Sequence, residues 1–442
     1  PPICVNNLPD IDRDGVGDPF DEDKDGDGIP NGLDPNPGIK DGNTWGRSDV
    51  DLGNYEIGFK GEGEYQNCGY SVSGAGDVNG DGFDDFLIGS QQGDDPHGSS
   101  RVGKVYLMCG SGSMEFDTNL SNCSASFIGE NYYDRAGSSL SGAGDVNGDG
   151  YDDFVIGAWG NDDGGSSAGK VYLIFGKQTG WEKNMSLSEA DASFIGETSG
   201  SYAGLSLSGG GDVNGDGYAD FMVGAYGNNE GGTSSGQTYL VLGKFSKWSL
   251  DTELTDADAS FIGESSSDLS GISVSVGGDV NGDGLDDILI GARGNGKGGS
   301  NSGQTYLVFG KKSGWSMDVG LNRSDGSFFG EKENDRSGNS VSIPGDVNGD
   351  GFDDIVIGAY GNCEGDNSAG QTYLLFGKEN VWDMYTNLSH SDASFIGEEY
   401  GDLSGYRVSS GGDINRDGYN DILIGAYAND DNGVNAGKTY VI

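Results

Sequence analysis

Residues 137–158 read GSSLSGAGDVNGDGYDDFVIGA. A stretch of alternating small and apolar residues, Gly137–Gly144, runs into Asp145-Val146-Asn147-Gly148-Asp149-Gly150, and an apolar run follows over Asp153–Ala158. This predicts a strand, a tight Asp-rich turn, and a second strand buried on both faces. The motif Gly-Asp-(Val/Ile)-Asn-(Gly/Arg)-Asp-Gly begins at Gly76, Gly144, Gly211, Gly278, Gly345 and Gly412, spaced by 68 residues once and by 67 thereafter. A second marker, Phe-x-Gly-Glu, keeps the same phase at Phe59, Phe127, Phe194, Phe261, Phe328 and Phe395. Two markers locked together over six copies define the architecture before any local structure is assigned.

Each copy reads as four short strands. In the second copy these are Gly137–Gly144, Asp153–Ala158, Gly169–Gly176 and Ala192–Glu197, with Gly, Asn, Asp and Ser at every junction. No segment sustains a 3.6-residue period, so little helix is expected. Four-stranded units in series form either a radial propeller or an open solenoid. The chain ends favour the propeller. The sixth copy stops at Tyr440–Ile442 after its third strand, and an orphan copy of the missing strand, Glu56–Glu62, precedes the first repeat. The expected fold is all-β: a six-bladed β-propeller of four-stranded blades, closed by that N-terminal strand. The alternative is a fragment of a larger, seven-bladed ring. The domain reading is an acidic arm over 1–34, a linker over 35–55, and a propeller over 56–442. Its blades lie at about 69–130, 137–197, 204–264, 271–331, 338–398 and 405–442 plus 56–62.

The turn in each repeat carries Asp-x-Asn-x-Asp-Gly-x-x-Asp. In the first blade the oxygen donors are Asp77, Asn79, Asp81, the Phe83 carbonyl and Asp85. The equivalent sets are Asp145, Asn147, Asp149, Tyr151 and Asp153; Asp212, Asn214, Asp216, Tyr218 and Asp220; Asp279, Asn281, Asp283, Leu285 and Asp287; Asp346, Asn348, Asp350, Phe352 and Asp354; and Asp413, Asn415, Asp417, Tyr419 and Asp421. Oxygens at positions 1, 3, 5, 7 and 9 make a hard-cation cage, and glycine at position 6 permits the sharp turn. A bidentate Glu at position 12 and flanking helices are both absent, so this is not an EF-hand. Two carboxylates about 5 Å apart at an effective dielectric near 20 repel by roughly 3 kcal/mol. Polar turns without a cation would carry that cost six times. Calcium suits the donor number and the carbonyl better than magnesium does.

These repeats resemble the FG-GAP repeats of integrin α-subunit propellers, and more closely their longer bacterial-type relatives, over residues 57 to 442. The resemblance rests on Gly137–Gly144, Asp145–Asp153, Phe154–Ala158 and Gly169–Phe175 with their equivalents. It implies a β-propeller with calcium on one face, a secreted or cell-surface location, and adhesive or scaffolding roles. The familiar ring has seven blades where six are countable here, and no ligand-binding residues carry over.

The arm, DIDRDGVGDPFDEDKDGDGIPNGLD over 10–34, holds two further loops. One comprises Asp10, Asp12, Asp14, the Val16 carbonyl and Asp18; the other Asp23, Asp25, Asp27, the Ile29 carbonyl and Asn31, with Asp34 nearby. It looks like thrombospondin type 3 repeats, stalks wrapped around calcium; the competing reading is a disordered acidic tail. Such a segment would fold only with its metal. Calcium sites of extracellular affinity place the protein outside the cell.

Composition narrows the partners. With 72 acidic against 24 basic side chains, a net charge of −48 excludes nucleic acid as a partner. No run is long and apolar enough to span a membrane, and the start Pro-Pro-Ile-Cys reads as a processed or trimmed form. Five cysteines neither staple the fold nor make a zinc site. Cys109–Cys123 and Cys4–Cys68 are conceivable bridges, leaving an odd thiol. His97 and His390 lack nucleophile partners, and calcium accounts for the paired carboxylates, so no catalytic site and no enzyme is expected.

Gln91, Trp159, Tyr226, Arg293, Tyr360 and Tyr427 occupy one equivalent position per blade, on the face opposite the Asp-rich turns. Trp159, Tyr226, Arg293, Tyr360 and Tyr427 are the candidate ligand face, with inter-blade packing as the plain alternative. Sequons at Asn119, Asn122, Asn184, Asn322 and Asn387 are candidate glycosylation sites, although Asn-Leu-Ser belongs to the repeat itself. The resulting expectation is an extracellular, calcium-stabilised structural or adhesive protein. It would bind a protein or glycan at the surface or matrix, and an arm plus a rigid disc suits homo-polymerisation. A lectin-like module using the aromatic face is the alternative.

Overall fold

The computed structural model describes residues 58–93, 101–111, 118–365, 368–379, 382–431 and 433–442. The acidic arm with its two loops, the linker, Cys4, His97 and the first two residues of the expected closing strand lie outside them. The propeller unit comprises Phe59–Ile414 and Gly418–Ile442.

Six blades follow one another in phase with the repeat. The second is typical: Ser139–Gly144, Asp153–Ala158, Lys170–Ile174 and Ala192–Ile195 pair antiparallel in that order. Its second and third strands are buried at every residue, as continuous apolar runs between two neighbouring sheets require. Blades one, three, four and five repeat this order; the sixth holds three strands, Ser404–Gly412, Asp421–Ala426 and Lys438–Val441. The core lies between blades. Leu87 and Val105 of the first pack with Phe154, Ile156 and Tyr172 of the second. Helix among the described residues is confined to three-residue 3-10 turns such as Leu187–Glu189.

One element escaped the sequence reading. A two-residue strand just before each 3-10 turn pairs parallel with the fourth strand of the preceding blade, as Met185–Ser186 does with Phe127–Ile128. The candidate sequons sit here. Asn119 and Asn387 cap their 3-10 turns by accepting from the Ser121 and Ser389 amides at 2.8 and 2.9 Å.

Serines bolt the innermost strands. Ser71, Ser139, Ser206 and Ser273 donate to the carbonyls of Gly137, Gly204, Gly271 and Gly338 in the next blade. Farther out, Phe-x-Gly-Glu supplies a second bolt. Glu130 of the first blade accepts from Lys170 at 3.0 Å and from the Tyr172 hydroxyl at 2.9 Å in the second. Lys170 also meets Asp163 at 2.8 Å and Asp251 of the third blade at 2.7 Å. Burial alone would lower its pKa, but these three acids hold it above the ordinary lysine range.

The closing strand behaves as only half of the expectation. Phe59–Lys60 lies parallel to Thr118–Asn119, and Glu62 accepts from Lys104 at 2.7 Å and Tyr106 at 3.2 Å. This is the place a preceding blade's fourth strand would take against the first blade. Its other edge is not joined to the sixth blade: Lys438–Val441 pairs with Asp421–Ala426 alone among the described strands. The first blade's outer face is correspondingly open, with Val72 69% exposed where Leu140, Val274, Val341 and Val408 are buried. The parallel step and the Glu62 bolt suffice to seat the strand on one side, whereas closure needs both edges.

The cysteine expectation is corrected. Cys109 and Cys123 carry free thiols and form no bridge, and Cys68 is likewise free. The Cys109 amide bonds Ser124 Oγ at 3.1 Å, while Cys123 is buried against Tyr106 and Leu120. Cys109 itself is half-buried.

The Asn-Gly step in the turns has an inter-blade cause. A Cβ added at Gly148 would lie 2.5 Å from the Tyr218 ring of the next blade, and at Gly80, 2.6 Å from Tyr151. The side chain at position 7 thus packs onto the glycine at position 4 of its neighbour. The sixth turn has Arg416 there, at φ +59°. Gly150, at φ +90°, faces open space. Gly148→Ala should therefore destabilise by about 1–3 kcal/mol through overpacking plus backbone strain, and Gly150→Ala by the backbone part alone. Melting temperatures of the two variants check the difference; equal shifts would remove the packing argument.

Candidate metal centres

The six turns occupy one end of the blades, joining first and second strands. In the second blade Asp145 Oδ1 accepts from the Gly148 and Asp149 amides at 2.6 and 3.1 Å, and Oδ2 from Gly150 at 2.8 Å. Asp149 accepts from the Tyr151 amide at 3.1 Å. Gly148 at φ +76° and Gly150 at +90° let the chain curl around these oxygens. Asp77, Asp212, Asp279 and Asp346 repeat the bonds with their own three amides. Asp81, Asp216, Asp283 and Asp350 accept from Phe83, Tyr218, Leu285 and Phe352. In the sixth, Asp413 accepts from Gly418 and Asn415 from Asp417.

Position 9 is different in kind. Asp153 is fully buried, with Oδ2 accepting from Val146 at 3.0 Å and Oδ1 from Gly176 at 2.8 Å. It ties the turn to the chain leaving the third strand. Asp85, Asp220, Asp287 and Asp354 do the same, and Asp421 accepts from Ile414. Burial pushes Asp153 up to about 8 despite those amides, and the charges of Asp149 and Asp145 add to the push. Burial likewise raises Asp220 and Asp287 to about 7 and Asp354 to about 6. No positive side chain answers this charge among the hydrogen bonds named.

The residues present fit a hard cation. All donors are oxygen, and Asn214 Oδ1, the position 3 acceptor of the third turn, is buried without a hydrogen-bond partner. Asn147 and Asn281 at the same position are buried too. Asn79 and Asn281 turn inward, Nδ2 donating to Asp85 at 3.1 Å and to Asp287 at 3.3 Å, while Asn348 and Asn415 accept from the amides of Asp350 and Asp417. Among the described residues no three Asp, Glu, His or Cys side chains converge closely enough to hold a metal as they stand. The first carboxylate of each turn is folded onto backbone amides instead.

The opposite end carries the aromatic positions. Trp159 is half-buried, with the Arg135 guanidinium 4.4 Å from its ring centroid and Tyr202 at 5.7 Å. Tyr202 stacks on Tyr226 at 5.2 Å. Tyr360 and Tyr427 flank Tyr406 at 5.1 and 4.5 Å, and Arg293 reaches Asn339. Gln91 is buried. Arg135, Tyr202, Arg336 and Tyr406 were missed from sequence; the first three sit in the recurrent tetrapeptide ending Ala-Gly or Ser-Gly, at φ +56° to +57°. That recurrence was the available signal. A deeper layer of acids lies beneath them: Asp134 Oδ2 accepts from the Asn131 amide at 2.9 Å and Asn161 Nδ2 at 3.1 Å. His390 is exposed at the other end, beside the Asn387 carbonyl.

The FG-GAP repeat profile matches residues 69–108, 136–174, 203–241, 270–308, 337–375 and 404–442, which together exceed half of the chain. The chain belongs to the FG-GAP repeat family, and its fold is an integrin alpha-like β-propeller. It is 35% identical over 194 residues to integrin alpha-PS2 of Drosophila melanogaster, covering 42% of this chain and 13% of the relative. It is 36% identical over 172 residues to integrin alpha-5 of Xenopus laevis, covering 38% and 16%. Integrin alpha pat-2 of Caenorhabditis briggsae is 30% identical over 267 residues, covering 56% and 19%. The match thus spans less than a fifth of each relative.

Burial pushes Asp134 and Asp268 up to about 6, with Glu130 and Glu264 adding to it. A carboxyl whose folded pKa is raised stabilises below the ordinary carboxylate range, and that contribution is lost as pH rises through about 6. The third blade has Ser201 at this place, so no charge is required. Asp134→Asn keeps an oxygen for both donors. It should gain about 1 kcal/mol at about pH 7.5 and nothing at about pH 4. Thermal melts at the two pH values test the sign.

Proposed function

We propose that this FG-GAP propeller is a calcium-stabilised extracellular adhesion or structural protein that engages a partner at the cell surface or matrix. The observation that carries the reading is the buried aspartate at position 9. It stands beside two more carboxylates in an all-oxygen donor set, raised by burial and by its neighbours' charges. A divalent cation held by positions 1, 3, 5 and 9 and the position 7 carbonyl would supply the missing positive charge and cross-link turn to blade. Millimolar calcium outside cells suits such sites, and the arm loops Asp10–Asp18 and Asp23–Asp34 would add two more ions.

Homology to integrin α chains supports a protein partner. A glycan-binding role for Trp159, Tyr226, Tyr360 and Tyr427 is less favoured, because much of their ring surface is packed against neighbouring rings. No catalytic role is assigned to any residue. The strand Phe59–Lys60 would complete the sixth blade on closure, and Glu62 already makes the bolt that role demands.

The test is calcium titration of chelated protein, following bound metal and melting temperature together. A saturated site adds about 2.7 kcal/mol when calcium is a hundredfold above Kd. Six ions bound by the propeller with a cooperative rise in melting temperature is the expected result. Asp145→Ala should remove one ion. An unchanged melting temperature between chelator and calcium would sink the reading.

A further inference from the structure

The chain has 72 acidic side chains for 24 basic ones, and the lysines of the blade bolts are consumed by that excess: Lys104, Lys170 and Lys438 each meet carboxylates. None of Arg101, Arg135, Arg293, Arg323, Arg336 and Arg407 meets a carboxylate among the described residues, and three of them, Arg293, Arg336 and Arg407, gather at one place. These three are held by neutral groups. Arg293 Nη1 donates to Asn339 Oδ1 at 3.0 Å, and Asn339 Nδ2 donates to the Tyr406 carbonyl at 3.0 Å. Arg336 donates to the Tyr360 hydroxyl and lies 5.4 Å from that ring's centroid. The Arg407 guanidinium is 5.4 Å from the centroid of Tyr406.

All three belong to blades four to six, at the end away from the Asp-rich turns, and Tyr360 and Tyr427 flank Tyr406 to make one continuous layer. Arg336 and Arg407 are exposed, and Tyr427 is 54% exposed. A guanidinium resting on an aromatic face keeps its in-plane N–H edge available, in the fork geometry that matches a carboxylate. Its order has already been imposed by the ring beneath it, so little freedom is lost on pairing. The net charge does not forbid an anionic visitor. At about 0.15 M ionic strength charges beyond about 8 Å are screened, so an approaching group meets the exposed guanidinium edges first, with the buried Asp335 and Asp402 beneath them, rather than the net charge.

The composition of the patch says which kind of anion. Two cavities lie elsewhere, one under Phe261, Val308 and Leu321 and one along the innermost strands at Gly74, Gly142 and Gly209. The patch itself is a layer of stacked rings with guanidinium edges, the residue types that anchor protein interfaces. Its tyrosines are packed on one another, which leaves less ring face for a sugar to stack on. We propose that Arg336 and Arg407, resting on Tyr360 and Tyr406, together with Arg293, held by Asn339, dock an acidic segment of a protein partner through carboxylate–guanidinium pairs. This rests on the adhesive reading above and specifies its surface and partner chemistry.

The test uses the calcium-loaded full chain at about 0.15 M ionic strength, with labelled oligo-glutamate, oligo-glutamine and de-esterified oligogalacturonate as probes in fluorescence anisotropy. Oligo-glutamate should bind and oligo-glutamine should not. The triple variant Arg293→Gln, Arg336→Gln, Arg407→Gln should weaken oligo-glutamate at least about tenfold. The corresponding triple lysine variant should recover only part of the affinity, because it keeps charge but loses the fork. Oligo-glutamate binding no tighter than oligo-glutamine overturns the proposal, as does unchanged affinity in the glutamine variant. Binding of oligogalacturonate without oligo-glutamate overturns it in favour of a glycan. Melting temperatures in calcium and in chelator, read on the same samples, keep the two readings apart. Loss of peptide binding with the chelator-induced shift intact discards the docking surface alone.

Discussion

Each blade depends on a carboxylate placed where water cannot reach it. Asp153 spans from the amide of Val146, inside the turn, to the amide of Gly176, beyond the third strand. Three pieces of chain distant along the blade are thereby held by one side chain. Burial of an anion is costly unless its lone pairs are used, and two amides use only part of them. The acids at positions 1 and 5 instead accept from the backbone amides of their own turn, as Asp145 and Asp149 do.

From that anchor the neighbouring blade is positioned. The side chain at position 7 leaves the turn toward the previous blade and settles on its position 4 glycine, as Tyr218 does on Gly148. A residue whose carbonyl is a candidate ligand thus also registers two sheets. At the other end the glutamate of Phe-x-Gly-Glu crosses to the next blade's tyrosine and, in blades one, two and six, its lysine. Glutamine replaces that lysine in blades three to five: Gln237 Nε2 donates to Ser260 and Asp318, whereas both amide atoms of Gln304 are buried without a partner. The ring of bolts is regular in position and uneven in chemistry.

Much of this was legible in the chain. The 67-residue period, the four-strand unit and the Asp-rich turns followed from spacing, and the second strand of each blade falls where its apolar run predicts. Less legible was why particular residues recur. Phe-x-Gly-Glu reads as a strand ending in a polar residue; only the fold shows Glu130 meeting Lys170 and Tyr172 forty and more positions away. The aromatic position after the second strand was found from phase, but its partners Tyr202 and Arg336 come from the preceding inter-blade turn. Cys109 and Cys123 looked close enough to pair because they share one connection, yet one thiol faces the core and the other does not.

By itself the sequence determined the number of repeats, their strand content, and the donor set offered to a cation. Those properties are local, since hydrophobic period and turn chemistry act within a few residues. What only the tertiary structure decided is how one repeat meets the next: which glycine must stay bare, which glutamate crosses, which rings the arginines rest on, and that Phe59–Lys60 seats on the first blade while the sixth holds three described strands. These depend on side chains from separate blades converging across an interface. Such contacts leave no short-range signature, because identical repeats place identical residues in surroundings that differ.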